Sequence, residues 1–105
     1  MDKRKLLVRN LKKFKEKISE EYSPEKMIFF GSRAVGNFRK DSDVDLVVVS
    51  GKFEGVKSLK RAPGFYLEWD LDYPVDFICY PPKELERLKK RVSIVKHAIE
   101  EGIEI

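Results

Sequence analysis

The stretch FFGSRAVGNFRKDSDVDLVVVS, from Phe29 to Ser50, constrains the fold more than any other part of this chain. It opens on the end of an apolar run, Met27 to Phe30, and closes on Leu46 to Val49. The second run is β-branched and too short for a globular helix, so both read as strands. Between them lie a Gly31-Ser32 turn and a polar, glycine-punctuated connection carrying Arg33, Arg39 and Lys40. Residues i and i+2 of a strand share a face, so Asp43 and Asp45 are expected to project their carboxylates side by side. Two like charges that close raise a pKa unless a cation lies between them. Oxygen-only ligands on a rigid strand suit a hard cation, Mg²⁺ or Mn²⁺, bound by one or two carboxylates plus substrate phosphates.

The Gly-Ser turn supplies the complementary half. Glycine lets backbone approach a ligand closely, and a helix starting at Ser32 would aim unpaired N–H groups at an anion. A phosphate cradle beside a carboxylate pair implies a nucleoside triphosphate and phosphoryl or nucleotidyl transfer. The alternative is an ordinary hairpin whose aspartates cap or solvate the turn, since short Gly-Ser and Asp-x-Asp matches are individually weak.

Taken together the residues are more specific. Gly31, Ser32, Ala34, Gly36, Arg39, Ser42, Asp43, Asp45 and Leu46, with ten residues between Ser32 and Asp43, resemble the signature of the DNA polymerase β-like nucleotidyltransferases. The run GSRAVGNFRKDSDVDL and the chain's size are similar to the minimal nucleotidyltransferases of prokaryotes. Val35 departs from the pattern, because many members that pair with HEPN proteins carry a second basic residue there. The resemblance implies a third acid on the strand beside the Asp-x-Asp strand. Asp76, in PVDFICY, has the expected place and order, whereas Asp70 and Asp72 sit at a helix end and in a turn. It further implies two Mg²⁺ ions (Mn²⁺ as a substitute) held by Asp43, Asp45 and Asp76, and ATP phosphates on Gly31 and Ser32. Arg33, Arg39 or Lys40 would neutralise the departing pyrophosphate. The implied partner is a HEPN-domain toxin, with this chain as an antitoxin that adds AMP to a partner tyrosine. Two other readings stay open: a non-catalytic HEPN-binding antitoxin, and a nucleotidyltransferase acting on a small molecule or an RNA end.

With 105 residues the chain is expected to form a single domain, 1–105, with one modest core and no second catalytic lobe. An acceptor site must then be shallow or shared, with a partner or within a homo-oligomer. No apolar run approaches membrane-spanning length, and the basic N-terminus lacks a signal peptide's apolar region, so a cytoplasmic location without membrane partners is the default. One cysteine excludes an internal disulfide. The net charge of +4 fits polyanionic ligands without specifying them.

The remaining elements follow from periodicity. Leu7, Leu11, Phe14 and Ile18 recur at helical spacing over residues 3–21, and basic side chains fill the other faces, leaving residues 1–17 with a side-chain net of +6. That surface is either a solvated helix face or one for nucleic acid or an acidic partner. Pro63 suits a helix N1 position, predicting a short helix from about Ala62 to Leu71 whose aromatics mostly enter the core. Lys57, Lys60 and Arg61 either flank a phosphate channel or are solvated. A third strand covers residues 74–80, where Asp76 would be expensive to bury without a partner and Cys79 is a small buried hydrophobe. Leu85, Leu88, Val92, Val95 and Ile99 form a helical stripe, with a break at Ser93, an end at Gly102 and an alternating tail suited to an edge strand. His97 lies off the stripe and reads as solvated. The expected fold is α+β (α/β-like), a small mixed sheet flanked by helices, packed mainly on one side.

Overall fold

The computed structural model describes residues 3–36, 42–91 and 94–105, the side chains at 94 and 95 excepted. The chain opens on α1 (Lys3–Tyr22), which buries Leu7, Leu11, Phe14 and Ile18 as their spacing requires. β1 (Lys26–Phe30), α2 (Ser32–Val35) and β2 (Val44–Val49) follow. Two 3₁₀ turns and α3 (Pro63–Glu68) lead to β3 (Val75–Tyr80), then α4 (Pro82–Lys89), α5 (Ile94–Glu101) and β4 (Ile103–Glu104). The sheet order is β3-β2-β1-β4. β1 runs antiparallel to both β2 and β4, while β2 and β3 are parallel. The sheet is therefore mixed, and the alternating C-terminal tail forms its edge strand.

Helices cover both faces, which corrects the one-sided packing expected above. α1 and α3 pack over Phe29, Leu46, Val48 and Phe77, and on the opposite face Leu85 of α4 and Ala98 of α5 pack over Ile28, Val47 and Val49. The cause lies in β2, where every residue except Asp45 is buried. A strand apolar on both faces must be covered on both, as parallel pairing usually demands. α3 also stops at Glu68, three residues short of the expected Leu71, because Trp69 turns extended and its Nε1 donates to the Tyr73 carbonyl at 2.8 Å. The Leu85, Leu88 and Ile99 positions of the C-terminal stripe are buried or partly buried. Val92, Ser93 and the Val95 side chain lie outside the described residues. Gly102 is needed for closeness, not for a left-handed turn: a Cβ there would stand 2.4 Å from the Ala98 carbonyl oxygen and 2.6 Å from Ile28 Cγ2.

Arg61 ties this crossover together. Its Nε donates to the Val56 carbonyl at 2.8 Å, Nη1 to the Cys79 carbonyl at 3.2 Å and Nη2 to Glu84 Oε2 at 3.2 Å. Its side chain is only 9% exposed. Removing it would lose three hydrogen bonds at once, two of them to backbone carbonyls, so Arg61→Ala is expected to lose about 2–4 kcal/mol in urea unfolding. Arg61→Lys should recover little of that, because one ammonium cannot reproduce the fork.

Candidate active site

Strand alternation places the acids. Val47 and Val49 belong to the α4/α5 side of β2, so Asp45 points to that side too, and Asp76 follows Ile78 in the same way on β3. In the parallel register Asp45 and Asp76 are direct partners. They open on a cleft of about 530 Å³ whose wall includes Phe30, Gly31, Ile78 and His97. Like charge gathers here. The Asp45 carboxyl is pushed above the ordinary carboxylate range, first by burial and then by the Asp76 and Asp43 charges. Asp43 precedes β2, which begins at Val44, so it is exposed at the strand mouth and not within the strand as its spacing suggested. Asp76 is exposed as well, and the burial anticipated for it falls on Asp45.

Gly31 is fitted against Asp45. Its φ of 84° and ψ of −167° belong to a region that is essentially glycine-only, and a Cβ there would lie 2.2 Å from Asp45 Oδ2. The residue lets the turn and the carboxylate share one spot. Ser32 begins the single turn of α2, in which the Ala34 and Val35 N–H groups close back on the Gly31 carbonyl at 3.1 and 3.3 Å. Ser32 is half-buried and Val35 is 59% exposed, the latter on the cleft wall.

The cations named from sequence separate. Arg33 is buried, with Nε donating to the Ser42 carbonyl at 2.6 Å and its guanidinium 4.7 Å from the Tyr73 ring centre. It pins the backbone next to Asp43. Arg39 and Lys40 lie outside the described residues. Lys57 and Lys60 are exposed, and Arg61 is the internal tie described above. Among the rival acids, Asp70 pairs with Lys17 at 3.5 Å on the opposite side of the sheet. Burial pushes the Cys79 thiol up to about 12, which suits a small core residue and not a nucleophile. The aromatic segment mostly enters the core, with Phe14, Phe65, Tyr66 and Trp69 ringed about Phe77 at 5.0–5.7 Å between centroids.

The α5 wall was missed by sequence reasoning. His97 is exposed as expected, but it lines the same cleft as the acids, with Nε2 3.6 Å from Glu101 Oε2. No local signal in the sequence pointed to it, because its place on the cleft wall depends on how α5 packs beside β1. The donor set fits a hard divalent cation: oxygen ligands only, with like charge concentrated on a half-buried carboxylate. Among the described residues no three acid, imidazole or thiolate side chains already converge as a closed metal site.

A mixed sheet with helices on both faces carries a glycine turn against a strand-borne aspartate and a second aspartate in register, an α/β domain with an acidic cleft. The model of the nucleotidyltransferase domain family matches residues 11–101, and the chain belongs to that family. A candidate nucleotidyltransferase from Sulfolobus solfataricus superposes with a TM-score of 0.64 at 23% identity, over 85% of this chain and 79% of that one. BolA1 from Arabidopsis thaliana superposes with a TM-score of 0.52 at 19% identity, over 80% of this chain and 98% of that one. At these identities both likenesses concern the fold, and a shared fold does not carry function by itself. No curated protein matches the chain significantly. No helix among the described residues is long and apolar enough to cross a membrane.

Proposed function

We propose that this nucleotidyltransferase moves AMP from ATP to a hydroxyl acceptor, a tyrosine of a HEPN-domain partner, and thereby acts as an antitoxin. The observation that carries the transfer reading is the register pairing of Asp45 with Asp76 beside Gly31, at the mouth of a cleft. Asp45, Asp76 and the exposed Asp43 would hold Mg²⁺ or Mn²⁺, with the nucleotide phosphates completing the oxygen set. Such a cation supplies charge neutralisation and orientation at the reacting phosphorus. Gly31 and Ser32 hold the β- and γ-phosphates, on a turn that the missing Cβ of Gly31 allows to lie directly against Asp45. The acceptor oxygen forms a bond to the α-phosphorus as the bond to the bridging oxygen breaks, and pyrophosphate leaves. Asp76, the more exposed of the strand acids, takes the hydroxyl proton on the acceptor side.

The partner reading rests on the resemblance of the Gly31–Leu46 run to nucleotidyltransferases that pair with HEPN proteins. Near-attack alignment of an acceptor hydroxyl requires a second positioned surface. Little turnover is therefore expected with ATP alone, and a marked gain when a HEPN partner is supplied. Mass spectrometry of the partner after incubation with ATP and Mg²⁺ should show tyrosine carrying AMP. An unmodified partner together with robust transfer to a small molecule or an RNA end would replace this acceptor, and neutralisation of the toxin without any transfer would make the chain a contact-only antitoxin.

A further inference from the structure

We propose that the N-terminal half of α1, together with β4, forms a groove that binds the phosphodiester backbone of single-stranded RNA. Arg4, Lys5, Arg9 and Lys12 rim a groove of about 400 Å³ whose floor is Val8 and Ile103, and among the described residues no acid lines it. Positions 4, 8 and 12 form one i, i+4 ridge of the helix and 5 and 9 lie on the adjacent one, so the four cations share a strip about 12 Å long.

Two other basic residues of the same helix, Lys15 and Lys17, have fixed partners. Lys15 donates to the Ile105 carbonyl at 2.9 Å, and Lys17 reaches the Glu68 carbonyl at 2.9 Å and Asp70 at 3.5 Å. Lys5, Arg9 and Lys12 are exposed, and none pairs with a carboxylate among the described residues. Mutual repulsion along such a strip is relieved by a bound polyanion. Arg4 anchors one end by donating from Nη1 to the Ala34 carbonyl at 3.0 Å, so the strip begins beside the helix that follows the Gly31 turn.

The chemistry of the groove favours nucleic acid over an acidic protein. A helical peptide needs several apolar anchors at i, i+3/i+4 and i+7, and two half-buried aliphatic side chains supply too few. A single strand's phosphates need cations spaced along a groove, and these four supply them. Binding here is separate from nucleotidyl transfer, because none of the strip residues belongs to the acidic cleft.

The test is fluorescence anisotropy with a short labelled single-stranded RNA of mixed sequence, run over a range of salt concentrations. The triple variant Lys5→Glu/Arg9→Glu/Lys12→Glu is compared with Lys57→Glu/Lys83→Glu/Lys90→Glu, which changes net charge equally at exposed sites elsewhere. The wild type should bind with a log–log salt slope near −2 to −3, and the strip variant should bind at least tenfold more weakly with a slope shallower by about 2. The control variant should lose less than a third of that factor, and circular dichroism should show both folded. Equal loss in both variants, or no loss in the strip variant, would overturn the proposal. So would a polyglutamate peptide that binds the strip as tightly as RNA does, which would assign it to an acidic protein face.

Discussion

Asp45→Asn and Asp76→Asn should each reduce nucleotidyl transfer by roughly a thousandfold or more while leaving the fold intact, because a carboxylate clamp on a divalent cation contributes several kcal/mol at the transition state. Asp45 also carries a stability signature that separates this role from that of a turn residue. Its carboxyl pKa is raised by burial and by Asp76 and Asp43, so the folded chain holds the proton more tightly than the unfolded one. The resulting penalty is fully present above the raised value and disappears as pH falls into the ordinary carboxylate range. Without divalent cation, Asp45→Asn should therefore melt above wild type at neutral pH, with the advantage shrinking on acidification. Added Mg²⁺ should raise the melting temperature of the wild type and leave that of Asp45→Asn nearly unchanged, since binding to the folded state stabilises only a chain that has the site. Transfer that survives both substitutions would reduce these acids to solvated strand-end residues.

What could be read in the sequence was what local chemistry decides. Gly31, Asp43 and Asp45 lie in one strand–turn–strand unit, and the third strand announces itself by a β-rich run broken only by Asp76, so the acids could be named before their register was known. The α1 stripe was equally legible, because an amphipathic period fixes its own buried face. The two-sided packing was harder to see: it depends on β2 pairing in parallel with β3, a contact remote in sequence. His97 was overlooked for the same reason. Only the β1–β4 pairing, which draws the end of α5 alongside β1, turns an exposed histidine into a cleft wall.

Arginines were the least legible of all. Arg33 and Arg61 were read as exposed or phosphate-facing, yet both satisfy backbone carbonyls from buried positions. A guanidinium on a long apolar stem can serve either purpose, and composition does not say which. The local surroundings decide: Ser42 and Tyr73 for one, Val56, Cys79 and Glu84 for the other.

Gly31→Ala should damage both stability and transfer. Two effects coincide there. The backbone conformation is one that an L-residue reaches at about 1–3 kcal/mol, and the new Cβ would stand 2.2 Å from Asp45 Oδ2, well inside contact distance. The carboxylate must swing away or the turn must open, and either movement displaces a proposed metal ligand relative to the proposed phosphate cradle. Misplacement by an ångström can remove a hundredfold of rate, so transfer should fall by about that factor or more, with a loss of about 2–4 kcal/mol in urea unfolding. Gly55→Ala separates the two causes. Gly55 also has a positive φ, 73°, but nothing lies within 4 Å of a Cβ there. It should lose about 1 kcal/mol from backbone strain alone and keep its transfer rate. If Gly31→Ala behaves like Gly55→Ala in both measurements, the contact with Asp45 has no part in catalysis. If it loses activity far beyond its loss of stability, the glycine is retained because the carboxylate occupies the space of its missing side chain.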